Sequence, residues 1–228
     1  MKYSHINEYF TKLYCINLDR RTDRYEEVQK EFLKIGANVE RISGIDGKTQ
    51  TDIPGLTLKE RSCYGLTSTH YKIIKNAKIN AYESILIFED DVMFTDNFNE
   101  IFNEKIKFLP NDWDLFYLGG NHILHVDGFR LITGDQNFKV TKGNYKTLNY
   151  ELCKTPCTWC AHAVAISHKM YDRILGEIEK NPVNCIDVAL YFIQQEGCNT
   201  YSFLPSIAIQ KGSFVILKVF LLIIAKTH

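Results

Sequence analysis

Three consecutive carboxylates, Glu89-Asp90-Asp91, stand at the end of the apolar run Ser84-Ile85-Leu86-Ile87-Phe88. Adjacent acids repel one another, so the triplet is best explained by a cation or a phosphate-bound metal. Mn2+ or Mg2+ suits carboxylate oxygens and takes one or two of them together with substrate phosphates. A solvated acidic turn is the plain alternative. A second constellation, Asp19-Arg20-Arg21-Thr22-Asp23-Arg24, follows the apolar run Leu13–Leu18. The guanidinium forks of Arg20, Arg21 and Arg24 match the oxygens of a pyrophosphate, although a charged surface turn would read the same way. No G-x-G-x-x-G or P-loop follows this run, which speaks against a dinucleotide oxidoreductase or a nucleoside triphosphatase.

Other candidates are less specific. Cys153, Cys157, Cys160 and His162 are zinc-type ligands, but their spacing matches no standard finger, and reduced, half-buried thiols are the simpler expectation. Asp187 follows Pro182 at a helix start, where the dipole stabilises a carboxylate; near a pocket it could equally take a proton from a hydroxyl. His70 and His162 fit a core or a pocket wall.

The elements that must position these residues alternate. A strand over 13–18 leads to a helix running to Ile35, with Asp23 and Glu26 as a capping box and Gly36 as its C-terminal stop. A second strand is expected over 39–45, a loop over 50–59, and a helix over 62–79 with His70 on its apolar stripe. That helix feeds the buried strand 84–88. Further strands are expected at 113–118, 161–166 and 201–209, with helices from Asp96, from Ser167 to Ile178, and over 186–193. This β-α-β alternation predicts one α/β domain spanning 1–228, with a mixed, mostly parallel sheet flanked by helices and ligands at the carboxyl ends of the strands. Residues 121–158 lack sustained periodicity and read as a variable insertion, with a hairpin as an option.

Lys+Arg and Asp+Glu balance at 27 each, so no global field draws nucleic acid. The first residues lack the apolar core of a signal peptide, and the seven cysteines are expected to be reduced in a cytoplasmic setting. The apolar segment 214–225 is too short to span a bilayer and reads as a buried element, with peripheral membrane contact as the alternative.

Taken together, Tyr14–Arg24, Ile45-Asp46-Gly47, Gly65–His70, Ile87–Val92, Trp113–Gly119 and Ala161–Ser167 resemble glycosyltransferase family 25, the lipopolysaccharide and procollagen galactosyltransferase-like family. The resemblance implies a GT-A-like, Rossmann-like fold, a UDP-sugar donor, a glycan or hydroxylated acceptor, and Mn2+ or Mg2+. It places Glu89 and Asp91 in the two acidic positions of a D-x-D-type motif with Asp90 between them, and Asp91 first in line for the metal. Asn17, Arg20, Arg24, His70, Glu89 and Asp90 fall to the donor, and Asp187 is nominated as base for an inverting transfer of galactose or glucose. A rival reading is a nucleotide-sugar-binding module made catalytically weak by an altered C-terminus.

Overall fold

In the computed structural model, which describes residues 5–50, 55–126, 129–134, 151–155 and 157–211, the run before the acids is a central strand buried on both faces. The elements in order are α1 (Ile6–Tyr9), β1 (Lys12–Asn17), α2 (Thr22–Ile35), β2 (Glu40–Ser43), α3 (Leu58–Ile79), β3 (Ser84–Glu89), β4 (Val92–Phe94), α4 (Phe98–Lys105), β5 (Leu115–Tyr117), β6 (Asn121–Val126), β7 (Phe129–Gly134), β8 (Glu151–Lys154), β9 (Thr158–Trp159), β10 (Ala163–Ser167), α5 (Tyr171–Lys180), α6 (Ile186–Gln195), β11 (Thr200–Leu204) and β12 (Ala208–Gln210).

Seven strands form the main sheet in the order β2-β1-β3-β10-β5-β11-β8. The pairings of β1 with β2 and β3, and of β5 with β11, are parallel. Strand β10 runs antiparallel to both β3 and β5, and β8 antiparallel to β11. Five strands therefore point one way and two are reversed, which is the mixed, mostly parallel α/β arrangement expected. The side-chain period of two sorts the core into two layers. Leu13, Cys15, Leu86, Phe88, Phe116 and Ala165 pack under α2 and α4, whereas Tyr14, Ile16, Ile85, Ile87, Tyr117 and Val164 pack under α3, α5 and α6.

Several boundaries differ from expectation. Helix α2 starts at Thr22, and neither Arg21 at its cap nor Asp23 makes a capping-box bond; Arg21 instead grips Asp23 through two hydrogen bonds of 2.8 and 2.7 Å. The capping box lies on α3, where Thr57 and Glu60 cap each other reciprocally and start the helix well before residue 62. Ser167 makes no cap bond, and a 3-10 turn over His168–Met170 precedes α5. The expected strand 201–209 divides into β11 and β12, the latter leaving the main sheet to pair with β4. Within 121–158 the hairpin β6–β7 is present and β9 adds to it as a third strand. The apolar segment 214–225 lies outside the described residues. Among the described residues no helix is long and apolar enough to cross a membrane.

One expectation is overturned. Cys63 of α3 and Cys185, at the N-cap of α6, form a disulfide with their Cα atoms 4.6 Å apart. Helices α3 and α6 pack on the same sheet face, so cysteines 122 residues apart in sequence meet in space. Spacing along the chain gave no sign of that pairing. Cys15, Cys153, Cys157, Cys160 and Cys198 remain thiols.

Candidate active site

The carboxyl ends of β1 and β3 lie side by side in parallel register, with Ile16 opposite Glu89. Beside them the reversed strand β10 begins, and the His162 carbonyl just before it accepts the Glu89 amide at 3.0 Å. Three chain segments thus converge at the acid triplet because β10 runs against its neighbours.

Asn17 closes β1 and is buried. Its Nδ2 donates to Asp90 Oδ2 at 2.7 Å and to the Arg21 carbonyl at 3.0 Å. Its Oδ1 accepts both Nε and an Nη of Arg41, at 3.0 and 2.8 Å, so the amide has one orientation only. Arg24 Nη1 donates to the other Asp90 oxygen at 2.9 Å. Both oxygens of Asp90 are therefore occupied, and the middle acid serves as the strut that ties the triplet to the arginine turn.

Its two neighbours differ. The Glu89 carboxyl is held well above the ordinary range by burial first, then by the negative charges of Asp91, Asp187 and Asp90. Asp91 is raised by burial, against the pull of Arg24 and His162. One Asp91 oxygen accepts Gln210 Nε2 at 3.3 Å and lies 3.6 Å from Arg24, while Oδ1 is buried with no hydrogen-bond partner among the described residues. Buried carboxylates without enough positive charge are costly. This donor set fits a divalent cation that takes its remaining ligands from a bound diphosphate. Among the described residues no group of three or more His, Cys, Asp or Glu side chains could hold a metal without such help.

A cleft of about 220 Å³ opens beside the acids, lined by Arg20, Arg21, Arg24, the 44–47 loop, Ser62, Leu66 and Thr69 of α3, and by Glu89 and Asp90. Its floor is the 44–47 loop laid on α3. Thr69 Oγ1 accepts the Ile45 amide at 2.9 Å, and a Cβ on Gly65 would run into the Ile45 carbonyl oxygen. Arg20 is ion-paired with Asp46 across the mouth. His70 is not in the cleft wall: it is fully buried, its Nδ1 donates to the Leu66 carbonyl at 3.1 Å, and burial lowers its pKa to about 4. It supports α3 from behind the cleft.

Asp187 lies in the first turn of α6, close enough to Glu89 to raise its pKa. Burial pushes Asp187 up to about 6, against the opposing effects of His162 and of a hydrogen bond from the Ala161 amide. The structure therefore brings Asn17, Arg20, Arg24, Glu89, Asp90, Asp91 and Asp187 to one place and leaves His70 buried outside the cleft lining. Two further participants carried no signal in their own sequence neighbourhoods: Arg41 locks Asn17, and Gln210 reaches Asp91 because β12 pairs with β4; Asp46, part of the Ile45-Asp46-Gly47 motif but given no role by the sequence, holds Arg20. Among the described residues the thiols and His162 form no group that could hold a metal; Cys153 sits on the outer strand β8, whereas His162 is buried at the acids.

A family model described as glycosyltransferase family 25 (LPS biosynthesis protein) matches residues 10–199. The chain belongs to glycosyltransferase family 25. A glycosyltransferase 25 family member of Aedes aegypti is 26% identical over 163 residues, covering 60% of this chain and 26% of that protein. Human procollagen galactosyltransferase 2 is 25% identical over 166 residues, covering 62% and 26% respectively. The inactive glycosyltransferase 25 family member 3 of Mus musculus is 26% identical over 165 residues, covering 63% and 27%. The chain thus spans about a quarter of the length of the curated relatives it matches. The family 25 match ends at residue 199, before Gln210, so the contact from Gln210 to Asp91 rests on this structure alone.

Proposed function

We propose that this family 25 domain transfers a hexose, galactose or glucose, from a UDP-sugar to a glycan or hydroxylated acceptor, inverting the anomeric carbon. The observation that supports this best is the division of labour in the acid triplet. Asp90 is consumed as a strut, which leaves Asp91 and Glu89 as underneutralised carboxylates beside an arginine-lined cleft. Mn2+ or Mg2+ held by Asp91 and Glu89 would neutralise them and supply charge stabilisation at the diphosphate leaving group. Arg20, Arg21 and Arg24, which line the same cleft, hold the donor's phosphates. Asp187, ionised above about pH 6, accepts the proton of the attacking hydroxyl.

The test is UDP release from UDP-galactose and UDP-glucose, with Mn2+ and with chelator, for wild type and Asp91→Asn. The variant should lose roughly 100-fold or more of the metal-dependent rate; an undiminished rate would sink the assignment. One observation favours a weaker module that binds donor without turning it over: Arg20 and Arg24 are already paired with Asp46 and Asp90. Calorimetry showing UDP-sugar binding, with no turnover across a panel of acceptors, would select that second reading.

A further inference from the structure

Helix α6 presents Asp187 and, four residues later on the same face, Tyr191. Trp159 of β9 stacks on the Tyr191 ring, with centroids 4.8 Å apart and planes 18° from parallel. Phe192, 44% exposed, meets the Tyr191 ring edge to face. Trp159 and Tyr191 are each only half-buried. Large aromatic surface near water is ordinarily loosely held, yet this pair is braced from beneath. Gln194, itself buried, accepts the Thr158 amide with Oε1 at 2.7 Å and donates through Nε2 to the Thr158 carbonyl at 3.0 Å. Both backbone groups of the residue before Trp159 are thereby locked to the helix that carries Tyr191.

A rigid, half-wet ring stack one helical turn from a candidate base suits a ligand with one flat apolar face and a polar rim. A pyranose ring has that character: its axial C–H groups meet the electron-rich ring face while its hydroxyls stay hydrated. We propose that the Trp159–Tyr191 stack, clamped by Gln194 beside Asp187, is the acceptor platform and that the acceptor it takes is a pyranoside. This rests on the transferase reading above, and it chooses a glycan acceptor over a hydroxylated peptide. The stack positions a sugar ring so that one of its hydroxyls faces Asp187, whereas the flexible aliphatic chain of a hydroxylated lysine has no ring face to offer.

The chain has two tryptophans, and the other, Trp113, is buried in the core and contributes a constant background, so a ligand-induced change in emission reports Trp159. The wild-type protein is titrated with lactose, cellobiose and N-acetyllactosamine, and separately with a hydroxylated collagen-like peptide. A saturable change in tryptophan emission with at least one saccharide, absent in Trp159→Phe/Tyr191→Ala, is expected. Trp159→Ala should raise the acceptor KM roughly tenfold more than the donor KM, the size of one aromatic contact. Trp159→Phe should recover much of that loss. Silence with every saccharide, a response to the peptide alone, or equal effects on both KM values would overturn the platform. A saccharide response in a protein that never releases UDP would instead retain the platform and remove the transferase reading, so the two failures are distinguishable.

Discussion

Asp90 shows how one residue decides the roles of its neighbours. With both oxygens bound by Asn17 and Arg24, it fixes the turn and leaves the negative charge of Glu89 and Asp91 only partly compensated. Such a site is built at the expense of stability. Glu89→Gln removes a carboxyl whose ionisation the fold opposes. In metal-free protein at pH 7.5 it should stabilise by about 1 kcal/mol, seen as a rise in Tm of about 2–4 °C in scanning calorimetry, while metal-dependent UDP release collapses. An unchanged or lower Tm would show that the acids are already neutralised from within. His70 gives a separate residue-scale prediction. Its pKa falls from 6.5 to about 4 because a buried imidazole resists charging. The unfolded chain therefore binds the extra proton first as pH falls, and stability is full above pH 6.5 and lost between 6.5 and about 4. That loss amounts to about 3 kcal/mol. Urea melts at pH 7 and 4.5 should show it in wild type and show that component missing in His70→Gln; parallel losses in both would clear His70 of the effect.

At the scale of elements, the legible features were those written in local periodicity. The apolar run into Glu89, the stripe of α2 closed by Gly36, and the α-β alternation needed only neighbours in sequence. Reversed β10, whose return puts His162 against Glu89, is a topological choice that no local pattern encodes. The same limit hid Arg41 and Gln210, and hid the pairing of Asp46 with Arg20, since all three reach the site only through contacts between distant strands and loops. His70 misled because a histidine on an apolar helical stripe reads alike whether it faces a ligand or the core. The seating of the 44–47 loop on α3 is a further tertiary feature with a checkable consequence. Gly65 and Gly47 permit a backbone approach that a Cβ would block at the Ile45 carbonyl and at the Arg61 carbonyl. Gly65→Ala should cost about 1–3 kcal/mol through overpacking, and it should also weaken UDP binding in calorimetry, since the displaced loop lines the cleft. Retained affinity at reduced stability would separate the loop from donor binding.

At the scale of the molecule, the Cys63–Cys185 bond joins the two helices that bracket the site. Cys63 lies one residue after Ser62 and three before Leu66, both in the cleft wall, and Cys185 lies two residues before Asp187. A hydrogen bond of 2.8 Å from Thr67 Oγ1 to the Asn184 carbonyl ties the same two segments without sulfur. The link closes a separation of 122 residues, so its main thermodynamic effect is to restrict the unfolded chain, worth about 2–4 kcal/mol in typical cases. Cys63→Ala/Cys185→Ala should lose that amount in urea melts under oxidising conditions, and dithiothreitol should bring wild type down to the variant's midpoint. The Thr67 bond still holds the segments together in the folded state. UDP-sugar affinity below the transition should therefore change less than twofold, equivalent to about 0.4 kcal/mol. Seven titratable thiols in unreduced, unfolded wild type would sink the link outright. A donor affinity that falls in step with stability would mean instead that the disulfide, and not the packing of α3 against α6, sets the geometry between the cleft and Asp187.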